Sequence, residues 1–215
     1  MQIQLQQVVP VPLKEKFSQR RSDIWNTNIT FDAGDWIKIV APSGTGKTTL
    51  LNILYKVRHD YEGEVQWDNR DLKNISGDHL AKLRQQHVSV IFQDLRLFEN
   101  LTARENIELN RVLQQPFYEA AMIDEMAGLL GITHILNQRA GVCSYGEQQR
   151  IAIIRALVQP FEWLIMDEPF SHLDIANTRK AADLIAMECK KRKAGFVLTD
   201  LDEDSLFPYT QVFSL

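Results

Sequence analysis

Lys47 and Thr48, followed by Thr49, close a glycine-bearing stretch, Ala41-Pro42-Ser43-Gly44-Thr45-Gly46-Lys47-Thr48. Residues of these types at this spacing bind phosphate. Gly44 and Gly46 let backbone N–H groups turn inward around phosphate oxygens, Lys47 supplies a mobile ammonium, and a helix beginning near Lys47 adds the positive end of its dipole. The Thr48 hydroxyl can ligate Mg²⁺. The run fits the P-loop pattern G-x-x-x-x-G-K-[ST], except that Ala41 holds the first glycine position. An alanine tolerates that place unless φ must be positive. A chance Gly-Lys-Thr in an ordinary loop is the bland alternative, and the surrounding elements decide against it.

Those elements must be a strand, a tight turn and a helix. The run Trp36-Ile37-Lys38-Ile39-Val40 is β-rich and stops at Ala41-Pro42, while 48–57 holds no breaker and carries Leu50, Leu51, Ile53 and Leu54 in helical register. Ile3, Leu5 and Val8 roughly alternate with glutamines, as in a half-buried strand. Further on, 88–92 reads as a buried strand and 117–130 as a helix stopped by Gly131. From Tyr145 the pattern is helix to Ala156, strand at 163–166, helix over 177–190 and strand at 196–198. Strands alternating with helices predict a largely parallel α/β sheet.

The chain has 215 residues, 45% of them hydrophobic, which is enough for one sizeable core and short for two ordinary domains. We expect a single domain over 1–215. With 24 basic and 28 acidic residues the net charge is −4, so the whole-molecule field favours neither nucleic acid nor an anionic membrane surface. The N-terminal residues lack the pattern of a signal peptide, and no apolar run approaches a membrane span. Direct membrane insertion is not expected. Cys143 and Cys189 are far apart and no Cys/His cluster has metal-site spacing, so a reducing compartment is expected. Lys190-Lys191-Arg192-Lys193 falls at a helix C-terminus, where cations offset the dipole and stay solvated.

Four further motifs resemble those of ABC ATPases, in that family's order. Val90-Ile91-Phe92-Gln93-Asp94 is similar to the Q-loop, and Cys143-Ser144-Tyr145-Gly146-Glu147-Gln148-Gln149-Arg150 to the signature motif. Leu164-Ile165-Met166-Asp167-Glu168-Pro169 is similar to the Walker B strand, and Ser171-His172-Leu173-Asp174 to the D-loop. The resemblance implies a P-loop NTPase core of ABC type, α/β in class, with an N-terminal antiparallel β portion and a helical subdomain at about 94–144. It implies Mg-ATP held by 41–49, with Thr48, Gln93 and Asp167 toward the metal and Lys47, Gln93 and Glu168 as the catalytic group. Glu168 takes the proton of the attacking water; the bland alternative is an acid that caps or pairs. Ser144, Gly146 and the following helix N-terminus bind the γ-phosphate held by the opposite subunit of a homodimer or heterodimer. An aromatic upstream of the P-loop stacks on adenine; Phe17 is the candidate, with Trp25 behind it, and either residue can instead be simple packing.

The stretch from Asp94 to Asn106 resembles the importer-like, lipoprotein-release and cell-division ABC subunits. In that group this surface receives a short helix of an integral membrane permease, with Phe98 and Leu101 here as the apolar floor. The alternative is that both are core. The expected location is cytoplasmic, at the inner face of the membrane through that partner. Three departures from the family pattern stand out. Tyr145 and Glu147 occupy places usually held by Gly and Gln, bringing a ring and a carboxylate toward the phosphate, and Asp200 stands where a histidine usually contacts the γ-phosphate. An ionised acid donates no hydrogen bond, so slow turnover is expected. A nucleotide-gated scaffold with vestigial hydrolysis is the second reading, and a soluble ABC protein of DNA repair or translation the third.

Overall fold

The computed structural model describes residues 1–14, 22–113 and 116–215. Phe17 lies outside the described residues. Two sheets organise the chain. The antiparallel sheet has the order β2-β1-β4-β5, with β1 Ile3–Pro10, β2 Asn28–Phe31, β4 Tyr61–Trp67 and β5 Arg70–Asp71. The parallel sheet has the order β6-β7-β8-β3-β9, with β3 Trp36–Val40, β6 Val88–Ile91, β7 Trp163–Asp167, β8 Gly195–Asp200 and β9 Gln211–Ser214. Every residue of β7 is buried, as a parallel strand covered on both faces requires.

The helices are α1 Lys47–Leu54, α2 Gly77–Gln86, α3 Ala103–Val112, α4 Ala121–Leu129, α5 Tyr145–Leu157 and α6 Ile175–Arg192. The side chains of Leu50, Leu51, Ile53 and Leu54 on α1 join Ile37, Ile39, Trp163, Ile165 and Val197 in one core. A second core lies on the other face, where Ile151, Ile153 and Ile154 of α5 and Leu184 and Ile185 of α6 meet Trp36, Leu164, Met166, Phe196 and Leu198. The sheet is thus clamped between helices, and its C-terminal strand ends are left open for the loops that carry polar residues.

Several expectations need correction. The helix predicted at 117–130 begins later, because the Phe117 ring lies 4.3 Å from the Arg192 guanidinium and the Tyr118 hydroxyl donates to Glu188. The helix predicted from Asn177 begins at Ile175, since the Asp174 carboxylate caps it by accepting the Asn177 N–H at 2.8 Å. The basic run is not uniformly solvated: the Arg192 side chain is 4% exposed, donates to the Leu157 and Gln159 carbonyls and pairs with Glu188 at 2.7 Å. Strands β2, β4, β5 and β9 and helices α2 and α3 are additions.

Asn106 on α3 is wholly buried and fixes the preceding loop. Its amide donates to the carbonyls of Phe98, Leu101 and Thr102 and its oxygen accepts the Phe98 N–H at 2.8 Å. Asn106→Ala leaves those backbone groups without partners. Urea unfolding is expected to report a loss of about 2 kcal/mol.

Candidate nucleotide-binding site

The turn from β3 into α1 is built around two left-handed glycines, Gly44 at φ +80° and Gly46 at φ +104°. At Gly46 a Cβ would stand 3.1 Å from Leu13 Cδ1 and 3.3 Å from the Trp25 ring, so the position is closed to side chains twice over. Gly46 is also the N-cap residue of α1 and offers no side-chain cap, which leaves first-turn N–H groups open to an anion. Thr45 steadies the turn by donating its hydroxyl to the Pro42 carbonyl at 2.8 Å. The first P-loop residue, Ala41, has negative φ and donates its N–H to the Asp200 carbonyl. Its departure from glycine therefore costs nothing. A cavity of about 220 Å³ opens here, lined by Leu13, Ser43, Gly44, Gly46, Lys47, Thr48, Thr49, Gln93 and Glu168.

Lys47 is buried and already engaged. Its ammonium donates to the Ala41 carbonyl at 2.8 Å and lies 3.3 Å from Glu168 Oε1. Glu168 Oε2 accepts from Gln93 Nε2 at 3.3 Å, so Glu168 joins the other two expected catalytic side chains, Lys47 and Gln93. The Glu168 backbone sits at φ +46°, an unfavourable region for a residue with a Cβ. Surrounding bonds hold it there: its N–H donates to the Thr199 carbonyl, and its own carbonyl accepts from Ser171 N–H and from the Gln149 amide. Gln149 is 1% exposed and also accepts the His172 N–H at 3.1 Å, tying α5 to both ends of the Glu168 turn. Sequence reading gave Gln149 no role, though an amide in a helix otherwise rich in apolar residues is a signal of a buried bond.

Asp167 is 5% exposed, and its Oδ1 accepts the Thr199 hydroxyl at 2.8 Å. Thr48, Gln93 and Asp167 line a second cavity of about 340 Å³ beside the first. Hydroxyl, amide and carboxylate oxygens are the donor set that a hard cation such as Mg²⁺ accepts, usually with waters completing the shell. The residues fit that ion.

Ser144 and Gly146 line neither cavity. Ser144 caps α5 and exchanges bonds with Glu147 in a reciprocal capping box. The Ser144 hydroxyl and N–H both donate to Glu147 Oε2 at 2.8 Å and hold that carboxyl below its ordinary range. Glu147 thus keeps its charge and occupies the Ser144 hydroxyl and N–H, the donors expected to meet a partner's phosphate. Asp200 is engaged by its neighbours: Oδ2 lies 3.3 Å from the Lys38 ammonium and Oδ1 accepts the Leu201 N–H. Lys38, 1% exposed, also pairs with Asp204. Trp25 is buried at 3% against Gly46 and packs as core. Phe98 is 60% exposed and is therefore not core.

A family profile described as "ABC transporter" matches residues 24–171. The chain is 33% identical over 177 residues to the uncharacterized ABC transporter ATP-binding protein YvcR of Bacillus subtilis, covering 81% of this chain and 68% of that one. It is 32% identical over 178 residues to the lipoprotein-releasing system ATP-binding protein LolD of Geobacter metallireducens, covering 82% and 79%. In the macrolide export ATP-binding/permease protein MacB of Burkholderia lata, at 33% identity over 181 residues, it spans only 26% of the length. The solved dimeric cassette MJ0796 in a post-hydrolysis state bound to ADP and Pi superposes with a TM-score of 0.78 at 27% identity, covering 93% of this chain and 88% of that one.

Proposed function

The chain belongs to the ABC transporter family as an ATP-binding cassette of the ATPase type, and from that premise we propose that it closes as a dimer on two Mg-ATP and powers a membrane-embedded permease. The observation that carries this reading is the contact of Glu168 with both Lys47 and Gln93 beside a cavity floored by the open N-terminus of α1. Residues 41–49 hold the triphosphate, and Lys47 leaves Glu168 for the phosphate oxygens when ATP enters. Freed of Lys47, Glu168 accepts the proton of the attacking water. Thr48, Gln93 and Asp167 would hold Mg²⁺, which would supply charge neutralisation to the triphosphate. Ser144 and Gly146, standing outside their own cavity, serve the nucleotide of the second subunit. The whole of 1–215 acts as one ATP-binding domain, with the helices between 94 and 144 as its partner-facing part.

The chemistry of the permease contact follows from a groove of about 410 Å³ lined by Tyr55, Phe92, Phe98 and three arginines, Arg84, Arg96 and Arg155. Among the described residues no acid lines it, although Asp94 beside it pairs with Arg96 at 3.3 Å and the chain as a whole is acidic. Burial lowers Arg155 to about 10, while its guanidinium donates to the Leu95 and Arg96 carbonyls. A short helix with an apolar stripe and an acidic residue suits that lining. Among the described residues no helix is long and apolar enough to cross a membrane. The proposed position is cytoplasmic, at the inner membrane face, through this groove.

The reading is tested by ATP titration of the wild type and Lys47→Ala, with a photo-cross-linker at Phe98 in membranes. ATP affinity is expected to fall about 10–100-fold in the variant, and the cross-link to capture an integral membrane protein. Equal affinity in both proteins sinks the nucleotide site. The Asp200 contact with Lys38 favours slow basal turnover, the scaffold reading being its limit.

A further inference from the structure

Tyr145 opens α5 where the family's signature usually has glycine, and its side chain reaches two other motifs of the same chain. Its ring lies 4.2 Å from the His172 ring at 63°, in the D-loop, and its hydroxyl donates to the Gln93 carbonyl at 3.4 Å, in the Q-loop. Gly146 continues the contact, since a Cβ there would stand 3.0 Å from the His172 carbonyl. Beyond Gln93 the connection runs on through Glu168 to Lys47, each step at 3.3 Å. Signature turn, Q-loop, Glu168 and P-loop lysine are therefore joined in one chain of contacts, and glycine at 145 makes neither of the links that begin it. The Tyr145 ring is 44% exposed, so it can leave this seat without opening the core.

We infer that Tyr145 is a positioning residue that ties the signature turn to the Q-loop and D-loop of its own subunit and so raises the ATP concentration at which the dimer closes. The inference rests on the dimeric ATPase reading above. Closure needs the N-terminus of α5 to face the partner's phosphate and Gln93 to turn from Glu168 toward the metal. The first movement pulls on both Tyr145 contacts, one to the Gln93 main-chain carbonyl and one to the His172 ring. The tie stabilises the open arrangement and not the closed one, which is the differential interaction that a population shift requires.

Two measurements separate the tie from the dimer. Hydrogen exchange in the nucleotide-free protein reads the amides of 93–97 and 171–174 in wild type, Tyr145→Phe and Tyr145→Ala. Tyr145→Ala is expected to exchange roughly tenfold faster there, the scale of one aromatic pair plus one hydrogen bond, with Tyr145→Phe between. Light scattering in the Glu168→Gln background then gives the ATP concentration for half-maximal dimerisation, expected to fall by up to about tenfold in Tyr145→Ala while the maximal dimer fraction is kept. Unchanged exchange overturns the tie whatever ATP does. Faster exchange with an unchanged or higher ATP requirement overturns the gating role. If ATP dimerises none of the proteins although Tyr145→Ala exchanges faster, the dimeric reading falls and takes the gating role with it, while the tie stands.

Discussion

Glu168→Gln is expected to cut phosphate release by about a thousandfold and to leave an ATP-bound dimer that persists in light scattering. The substitution keeps size and hydrogen-bonding shape but removes the only acid among the described residues that line the P-loop cavity. Loss of a positioned general base typically costs two to four powers of ten. It also removes the carboxylate that lies 3.3 Å from Lys47 in the nucleotide-free chain, so ATP meets an unneutralised ammonium and binds at least as tightly. Retained turnover in the variant moves the base to another residue.

Lys38→Met is the second large effect, and it concerns stability. Lys38 stands on β3, between β8 and β9 in the parallel sheet, with its ammonium between Asp200 and Asp204, and the Tyr209 hydroxyl donates to Asp204 at 2.7 Å. Removing the cation strands two carboxylates against an aromatic wall. The loss expected from urea unfolding at neutral pH is about 3 kcal/mol. The pH dependence carries a second signature. Burial pushes the Asp204 carboxyl up, but bonds from Lys38, Tyr209 and the Leu206 N–H outweigh it and hold the group below its ordinary range. A depressed folded-state value contributes stability above the unfolded one, and that contribution is lost as pH falls through the folded value. Wild-type unfolding midpoints are therefore expected to drop below about pH 4, and those of Lys38→Met to vary less. Matching acid profiles in the two proteins refute this account.

Much of the parallel core was legible because its signals are local. The strand at 36–40 ends at Ala41-Pro42, the motif turn follows, and Ser144 and Asp174 each precede a helix that they cap. Helix α2 was missed because none of its residues is buried, so no apolar period marks it. Helix α3 did carry a signal, Thr102 three residues before Glu105, which the structure uses as a capping box. The helix predicted at 117–130 is present as α4, but its start was placed too early because Phe117 and Tyr118 satisfy Arg192 and Glu188, contacts about seventy residues away in sequence. Within the site, residue types foretold which side chains meet. They did not foretell the left-handed backbone of Glu168 or the buried Gln149 that supports it, since both depend on strands brought together by the sheet. Lys38 was readable in part, as a lone charge in an apolar run that is buried on both faces and so needs acids at its end.

The order of the parallel sheet has a consequence for synthesis. Strand β3, which feeds the P-loop, has β8 and β9 as its neighbours, and their first residues are Gly195 and Gln211. As the chain leaves the ribosome, the strand carrying the phosphate-binding turn has no sheet partner until more than 150 further residues have emerged, β8 beginning 195 − 40 = 155 positions after β3 ends. Contacts of such separation form slowly, because a long loop must close before any of them is made. The antiparallel sheet of β1, β2 and β4 can assemble early, whereas the nucleotide cavity is a product of the last translated third. Until then β3 offers two open, apolar edges, the kind of surface that molecular chaperones cover.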